Sequence, residues 1–201
     1  MKKRLGLLGG TFDPPHIAHL ILAEEALFQL ELRKILWILT PDPPHKRDRE
    51  ITPVEMRIEL LTAALDHHPD FKLSSVDIDR PPPHYAVDTV KLIKSENPNT
   101  SIVYLMGSDS LTDLPTWHNP GDFINICDEI GVMLRPGVTL DQTEIEKTLP
   151  GILSKLRYIF APRLEISSSA IRNRICLGQP FRFLVTSEVF LIIKKLKLYR
   201  E

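Results

Sequence analysis

Short runs rich in leucine, isoleucine and valine recur along the 201-residue chain, and longer stretches with helical spacing separate them. The short runs predict strands over Arg4–Leu8, Lys34–Leu39, Lys72–Ile78, Ser101–Met106, Gly131–Leu134 and Arg157–Phe160. The longer stretches predict helices over Ile17–Leu30, Pro53–His67, Tyr85–Glu96, Gly121–Asn125, Leu140–Thr148, Ala170–Leu177 and Thr186–Leu196. Strand and helix alternate almost throughout. That alternation predicts an α/β fold, a doubly wound parallel sheet with helices on both faces. No repeat, low-complexity tract or linker divides the chain, so residues 1–201 read as a single domain.

Local chemistry sharpens three of these elements. Thr52, Pro53 and Glu55 offer an N-cap, a first helical residue and the partner of a capping box. The segment Ile17–Leu30 is apolar nearly all round, which predicts an inner helix. The tail helix reads as a surface helix with Phe190, Ile193 and Leu196 packed inward.

Composition mainly excludes. A hydrophobic share of 43% supports a substantial core, and a net charge of −1 gives no global field for nucleic acid or an anionic membrane. Any anion site must therefore be local. No apolar run approaches the roughly 18 residues of a membrane span, and the run after "MKKR" is too short for a secretory signal. Cys127 and Cys176 have no motif spacing and read as reduced core thiols of a cytoplasmic protein. Proline is abundant, at 17, and clusters at Pro14-Pro15, at Pro41, Pro43 and Pro44, and at Pro81 to Pro83.

Those clusters fall in the segments that follow predicted strands, where wound parallel sheets bind ligands. The first strand runs into "GGTFDPPHIAH", the second into "TPDPPHK", the third into "DRPPPHYAVDT", the fourth into "MGSDSLTDLPTWH", the fifth into "RPG" and the sixth into "APRLEISSSAIR". The rim they form would carry His16, His19, His45, Lys46, Arg135 and Arg172 as donors and cations. Helices starting after "FDPPH" and "ISSS" add backbone N–H groups, so the inventory suits several phosphates at once. Ser167, Ser168 and Ser169 serve equally as helix caps or as anion contacts. The histidine pair lacks a third ligand at metal-site spacing, which favours phosphate contact over zinc. Trp117 has two readings, core packing or stacking on an aromatic ligand, and its place in the fourth loop favours stacking. His118 stays open.

Taken together, "GGTFDPPHIAH", "PPHK", "YAVDT", "GSD" with "LPTWH", and "ISSSAIR" resemble the motifs of HIGH-type nucleotidyltransferases. The set, in this order between Leu5 and Arg172, is similar to the bacterial nicotinate mononucleotide adenylyltransferases. The resemblance implies a Rossmann-like fold and transfer of AMP from ATP to nicotinate mononucleotide. The products would be nicotinate adenine dinucleotide (deamido-NAD) and pyrophosphate, a step of NAD biosynthesis, with Mg²⁺ held mainly by the ATP phosphates and no metal ligands from the chain. It assigns Gly9, Gly10, Thr11 and Phe12 to the nucleotide loop, and His16, His19, Lys46 and Arg172 to the reacting phosphates. His45 would also reach phosphate, from the mononucleotide side. Gly107 and Asp109 would hold ribose, Ser167 and Ser168 would close over ATP with Arg135 nearby, and Trp117 and the Ala86 amide would meet the pyridine ring and its carboxylate. Three features depart from the family pattern: Ala18 for glycine, Ser169 for threonine, and His84 with Ala86 in place of serine and threonine. The rival readings are an adenylyltransferase for nicotinamide mononucleotide or phosphopantetheine, and a catalytically silent nucleotide sensor. A homo-oligomer stays open.

Overall fold

The computed structural model describes residues 3–42, 51–134, 141–162 and 164–200. Among them, six strands form one sheet: β1 (Lys3–Gly10), β2 (Lys34–Leu39), β3 (Phe71–Ser74), β4 (Thr100–Gly107), β5 (Glu129–Met133) and β6 (Leu156–Ile159). Every neighbouring pair is parallel, in the order β3-β2-β1-β4-β5-β6. The chain winds outward from β1 to β3, then crosses back beside β1 and winds the other way. The doubly wound, Rossmann-like sheet predicted from alternation is therefore present, and its order reverses between β1 and β4.

The helices are α1 (Ile17–Gln29), α2 (Val54–Leu65), α3 (Ala86–Glu96), α4 (Ser108–Asp113), α5 (Pro120–Ile126), α6 (Gln142–Thr148), α7 (Ile152–Lys155), α8 (Ser168–Cys176) and α9 (Ser187–Leu196). Side chains alternate across a strand, and the core divides accordingly. Leu7, Ile38, Tyr104 and Val132 pack with Val90 and Ile93 of α3 and Phe123 of α5. Leu8, Trp37, Val103 and Ile159 pack on the opposite face with Leu22 and Ala26 of α1 and Leu61 of α2. A third cluster joins Leu60 of α2 to Ile171 of α8 and Val189 and Ile193 of α9. Both faces are thus covered, as parallel strands require.

Several expectations are corrected. α1 is not buried all round: Ala18, Leu22, Ala23 and Ala26 lie inward, whereas Phe28 is 83% exposed. Its small residues let the helix lie close on the sheet, and its bulkier ones spill over the sides. The capping box at α2 does not form, because Pro53 is the N-cap and makes no side-chain cap. The Thr52 carbonyl instead accepts a hydrogen bond from Arg57 Nε. β3 stops at Ser74, where a turn closed by Asp79 N–H on the Ser75 carbonyl at 2.8 Å replaces the expected strand. α4 and α7 were not legible as separate periodic runs. Of the two thiols, Cys127 is buried but Cys176 is exposed on α8. In the tail, Ile193 is buried and the Phe190 ring lies 5.0 Å from Phe181, as the amphipathic pattern implied, but Leu196 is only half-buried and Val189 packs in the cluster instead.

Beyond β6 the sheet edge is met by a side chain. Gln29 Nε2 donates to the Phe160 carbonyl at 2.7 Å, and Phe160 N–H donates to Gln29 Oε1 at 3.0 Å. Among the described residues no helix is long and apolar enough to cross a membrane.

Candidate active site

A cavity of about 390 Å³ opens where β1 and β4 end, at the reversal of strand order. Gly9, Gly10, Thr11 and Phe12 line it on leaving β1, and His16, Ala18 and His19 line it on entering α1. Gly9 lies against Tyr104: a Cβ there would overlap the tyrosine hydroxyl. Phe12 takes a left-handed backbone conformation, φ 49°, and sets its ring 5.2 Å from that of His19. His16 is the N-cap of α1, and its N–H donates to His19 Nδ1 at 3.3 Å. The two imidazoles stack at 3.6 Å. Because Nδ1 of His19 accepts, Nε2 is the nitrogen that carries the proton in the neutral ring.

Behind this turn sits a polar frame that composition and motif reading passed over. Arg57, 2% exposed, donates to the carbonyls of Thr11 (3.1 Å), Thr40 (2.8 Å), Pro41 (2.6 Å) and Thr52 (2.8 Å). Burial lowers its pKa, and the neighbouring Asp13 charge opposes that effect. The Tyr199 hydroxyl donates to Asp13 Oδ1 at 2.8 Å. A signal did exist: Arg57, Leu60, Leu61 and Leu65 share the buried stripe of α2, so a cation stands on an otherwise apolar face.

α8 closes the same side. Ser167 is its N-cap, accepting from Ala170 N–H, while Ser168 Oγ donates to the Pro14 carbonyl at 2.8 Å. Arg172 donates to the Asp13 carbonyl at 2.7 Å and to Ser169 Oγ at 3.0 Å. Ser167, Ser168 and Arg172 all line the cavity. The helix start is thus pinned to the β1 turn, with capping and cavity contact shared among three hydroxyls.

The opposite wall is built differently. Gly107 is the N-cap of α4, and Asp109 stands in its first turn. Trp117 is half-buried, edge-to-face with Phe123 at 5.4 Å and Tyr104 at 6.1 Å. Ala86 opens α3 beside Tyr85, whose ring stacks on His118 at 4.0 Å. Gly107, Asp109, Trp117 and Ala86 line the cavity. His84 also lines it and is buried. Its Nε2 lies 3.1 Å from the Arg80 carbonyl, and its Nδ1 has no hydrogen-bond partner. Arg80 fixes this loop through Asp77 at 3.0 Å and the Pro83 carbonyl at 2.7 Å. His45, Lys46 and Arg135 lie outside the described residues.

The cavity thus has stacked imidazoles, a helix start and a guanidinium on one wall and aromatic rings on the other. Comparison with known proteins shows the family. A model of cytidylyltransferase-like domains matches residues 7–174. A probable nicotinate-nucleotide adenylyltransferase of Thermomicrobium roseum is 41% identical over 98% of this chain and 92% of its own length. The nicotinate-nucleotide adenylyltransferase of Bacillus subtilis is 35% identical over 98% of both chains. The chain belongs to the nicotinate-nucleotide adenylyltransferase family. Among solved structures, the Plasmodium falciparum nicotinic acid mononucleotide adenylyltransferase complexed with NaAD superposes with a TM-score of 0.82 at 20% identity. That match covers 98% of this chain and 97% of the other, and it supports the fold. The nicotinate-nucleotide adenylyltransferase family thus accounts for nearly the whole length of the chain.

Proposed function

We propose that the protein transfers AMP from ATP to nicotinate mononucleotide, in the cytoplasm, as a step of NAD biosynthesis. An oxygen of the mononucleotide 5′-phosphate attacks the α-phosphorus of ATP. The bond from that phosphorus to the bridging oxygen breaks, and pyrophosphate leaves. The attacking phosphate is ionised near neutral pH, so neither a general base nor a protein nucleophile is required. Catalysis then consists of alignment and charge stabilisation.

One observation carries this reading: the stacked His16–His19 pair and Arg172 share a cavity with Trp117 and Ala86. In the proposal, the proton on His19 Nε2 and the α1 and α8 N-termini hold the triphosphate. Gly9 to Phe12, with Gly107 and Asp109, hold the nucleotide, and Lys46, His45 and Arg135 complete the phosphate contacts. Trp117 and the Ala86 N–H take the nicotinate ring and carboxylate.

Among the described residues no three histidine, cysteine or carboxylate side chains form a group that could hold a metal. The wall facing the phosphates offers imidazole, amide and guanidinium donors, which suit phosphate oxygens and not Mg²⁺. Mg²⁺, carried by the ATP phosphates, would supply charge neutralisation there, while the chain's part is to donate hydrogen bonds to the phosphate oxygens.

The test is pyrophosphate release from ATP with nicotinate mononucleotide, nicotinamide mononucleotide or phosphopantetheine as acceptor. Turnover is expected to be fastest with the first. Faster turnover with another acceptor would reassign the substrate, and none with any of the three would leave a nucleotide sensor.

A further inference from the structure

Arg57 and Tyr199 lie outside the cavity lining, yet both are bonded to the turn that holds the imidazoles. Arg57 is the buried cation of the β1 side, and its four carbonyl partners belong to three separate segments. Thr11 lies in the turn after β1, Thr40 and Pro41 follow β2, and Thr52 precedes α2. One planar guanidinium therefore fixes the β1 turn relative to both described ends of the β2–α2 connection.

Tyr199 reaches the same turn from the far end of the chain. After α9 the backbone passes through two left-handed residues, Lys197 at φ 54° and Tyr199 at φ 61°. Left-handed backbone is unfavourable for residues other than glycine and persists where surrounding contacts over-determine it. The contact here is the hydroxyl on Asp13 Oδ1, 2.8 Å away, while the Asp13 carbonyl accepts from Arg172. Burial raises the phenol pKa, so the hydroxyl stays a donor throughout the neutral range.

We infer that Arg57 and Tyr199 are positioning residues: with Asp13 between them, they hold the 11–16 turn so that His16 and His19 meet the reacting phosphates. This rests on the adenylyl-transfer reading above. Tyr199 is thereby coupled to the first catalytic motif, across 186 positions of sequence.

The experiment compares the wild type with Tyr199→Phe, Tyr199→Ala and Arg57→Lys by pyrophosphate release, thermal melting and proton NMR of the histidine imidazoles. Tyr199→Phe keeps the ring in its packing and removes only the donor. Its kcat is expected to fall on the order of 10-fold, with a small fall in melting temperature from the loss of a donor to buried Asp13 and with the KM for the mononucleotide unaffected, since modest misplacement of a reacting group is costly. The His16 and His19 imidazole signals should move in the same variant. Arg57→Lys should lower kcat further, because an ammonium cannot span four carbonyls. A packing role for Tyr199 would instead leave Tyr199→Phe like wild type and impair only Tyr199→Ala, which overturns the inference. A wild type inactive with every acceptor would overturn the reaction assigned above. The imidazole signals would still decide whether the hydroxyl sets the turn, and unmoved signals would refute it.

Discussion

The turn after β1 and the turn after β4 face each other across one cavity, and their long-range anchors differ. The first is fixed by charge and hydrogen bonds: a guanidinium on four carbonyls, a phenol on Asp13, and Arg172 and Ser168 from α8. The second adds aromatic packing to local hydrogen bonds: Gly107 leads into a short helix, Thr112 and Thr116 donate to the Ser108 and Asp113 carbonyls, and Trp117 rests edge-to-face on Phe123 and Tyr104. Polar anchoring suits donors that must stay aimed at a developing charge, since reorganising them during reaction would cost most of their effect. Aromatic packing suits a face that accepts a planar ring, where an offset of a few tenths of an ångström matters little. The division suggests that damage on the β1 side should appear in turnover, and damage on the β4 side in acceptor affinity.

The largest effect is expected from His19→Ala, on the order of 100-fold or more in kcat with a smaller change in ATP affinity. Steady-state kinetics on the folded variant would check it, and unchanged turnover would remove His19 from the phosphate site. Gly9→Ala couples the two sides, because its methyl would overlap the hydroxyl of Tyr104, whose ring supports Trp117. Overpacking of this kind costs about 1–3 kcal/mol, which would show as a lower denaturant midpoint, with a raised mononucleotide KM. An unaltered midpoint would mean that the Tyr104 ring yields freely. Trp117→Ala should raise the mononucleotide KM roughly 10-fold and hardly change that for ATP. Equal changes in both would make Trp117 a core residue.

The smallest effect concerns the two thiols. Burial raises the Cys127 pKa to about 12 from an ordinary 9.0, with the positive charge of Lys155 opposing. The stabilisation this represents is present below pH 9 and is lost as the pH rises toward 12. At pH 8 an alkylating reagent should therefore modify the exposed Cys176 and spare Cys127, with turnover unchanged. Rapid labelling of Cys127 in the native protein would show that this part of the core opens readily.

Sequence pattern reached the sheet and most of the cavity because both rest on local signals. Alternating apolar runs mark strands, and clusters of proline, glycine and histidine after them mark rim loops. What escaped depends on distance along the chain. Arg57 stands out as a cation on the apolar stripe of α2, but its partners, the turn carbonyls of residues 11 and 40, come to it only through the fold. Tyr199 belongs to an unremarkable polar tail, and its partner lies at the opposite end of the molecule's sequence. Asp13 was visible only as a letter in the first motif. Its neighbours make it a junction. Ser168 illustrates a different limit: a hydroxyl read equally as a cap or an anion contact turns out to bond the Pro14 carbonyl, a choice set by how α8 docks. α4 was missed because six residues carry too little periodicity to separate a helix from a loop.

The amide of Gln29 answers Phe160 as a neighbouring peptide would, with one donor and one acceptor spent on the residue where the outermost strand gives out. Pairing could not be extended through Phe160, because both groups are already taken. A single glutamine thus occupies both main-chain groups of the residue just past the last strand.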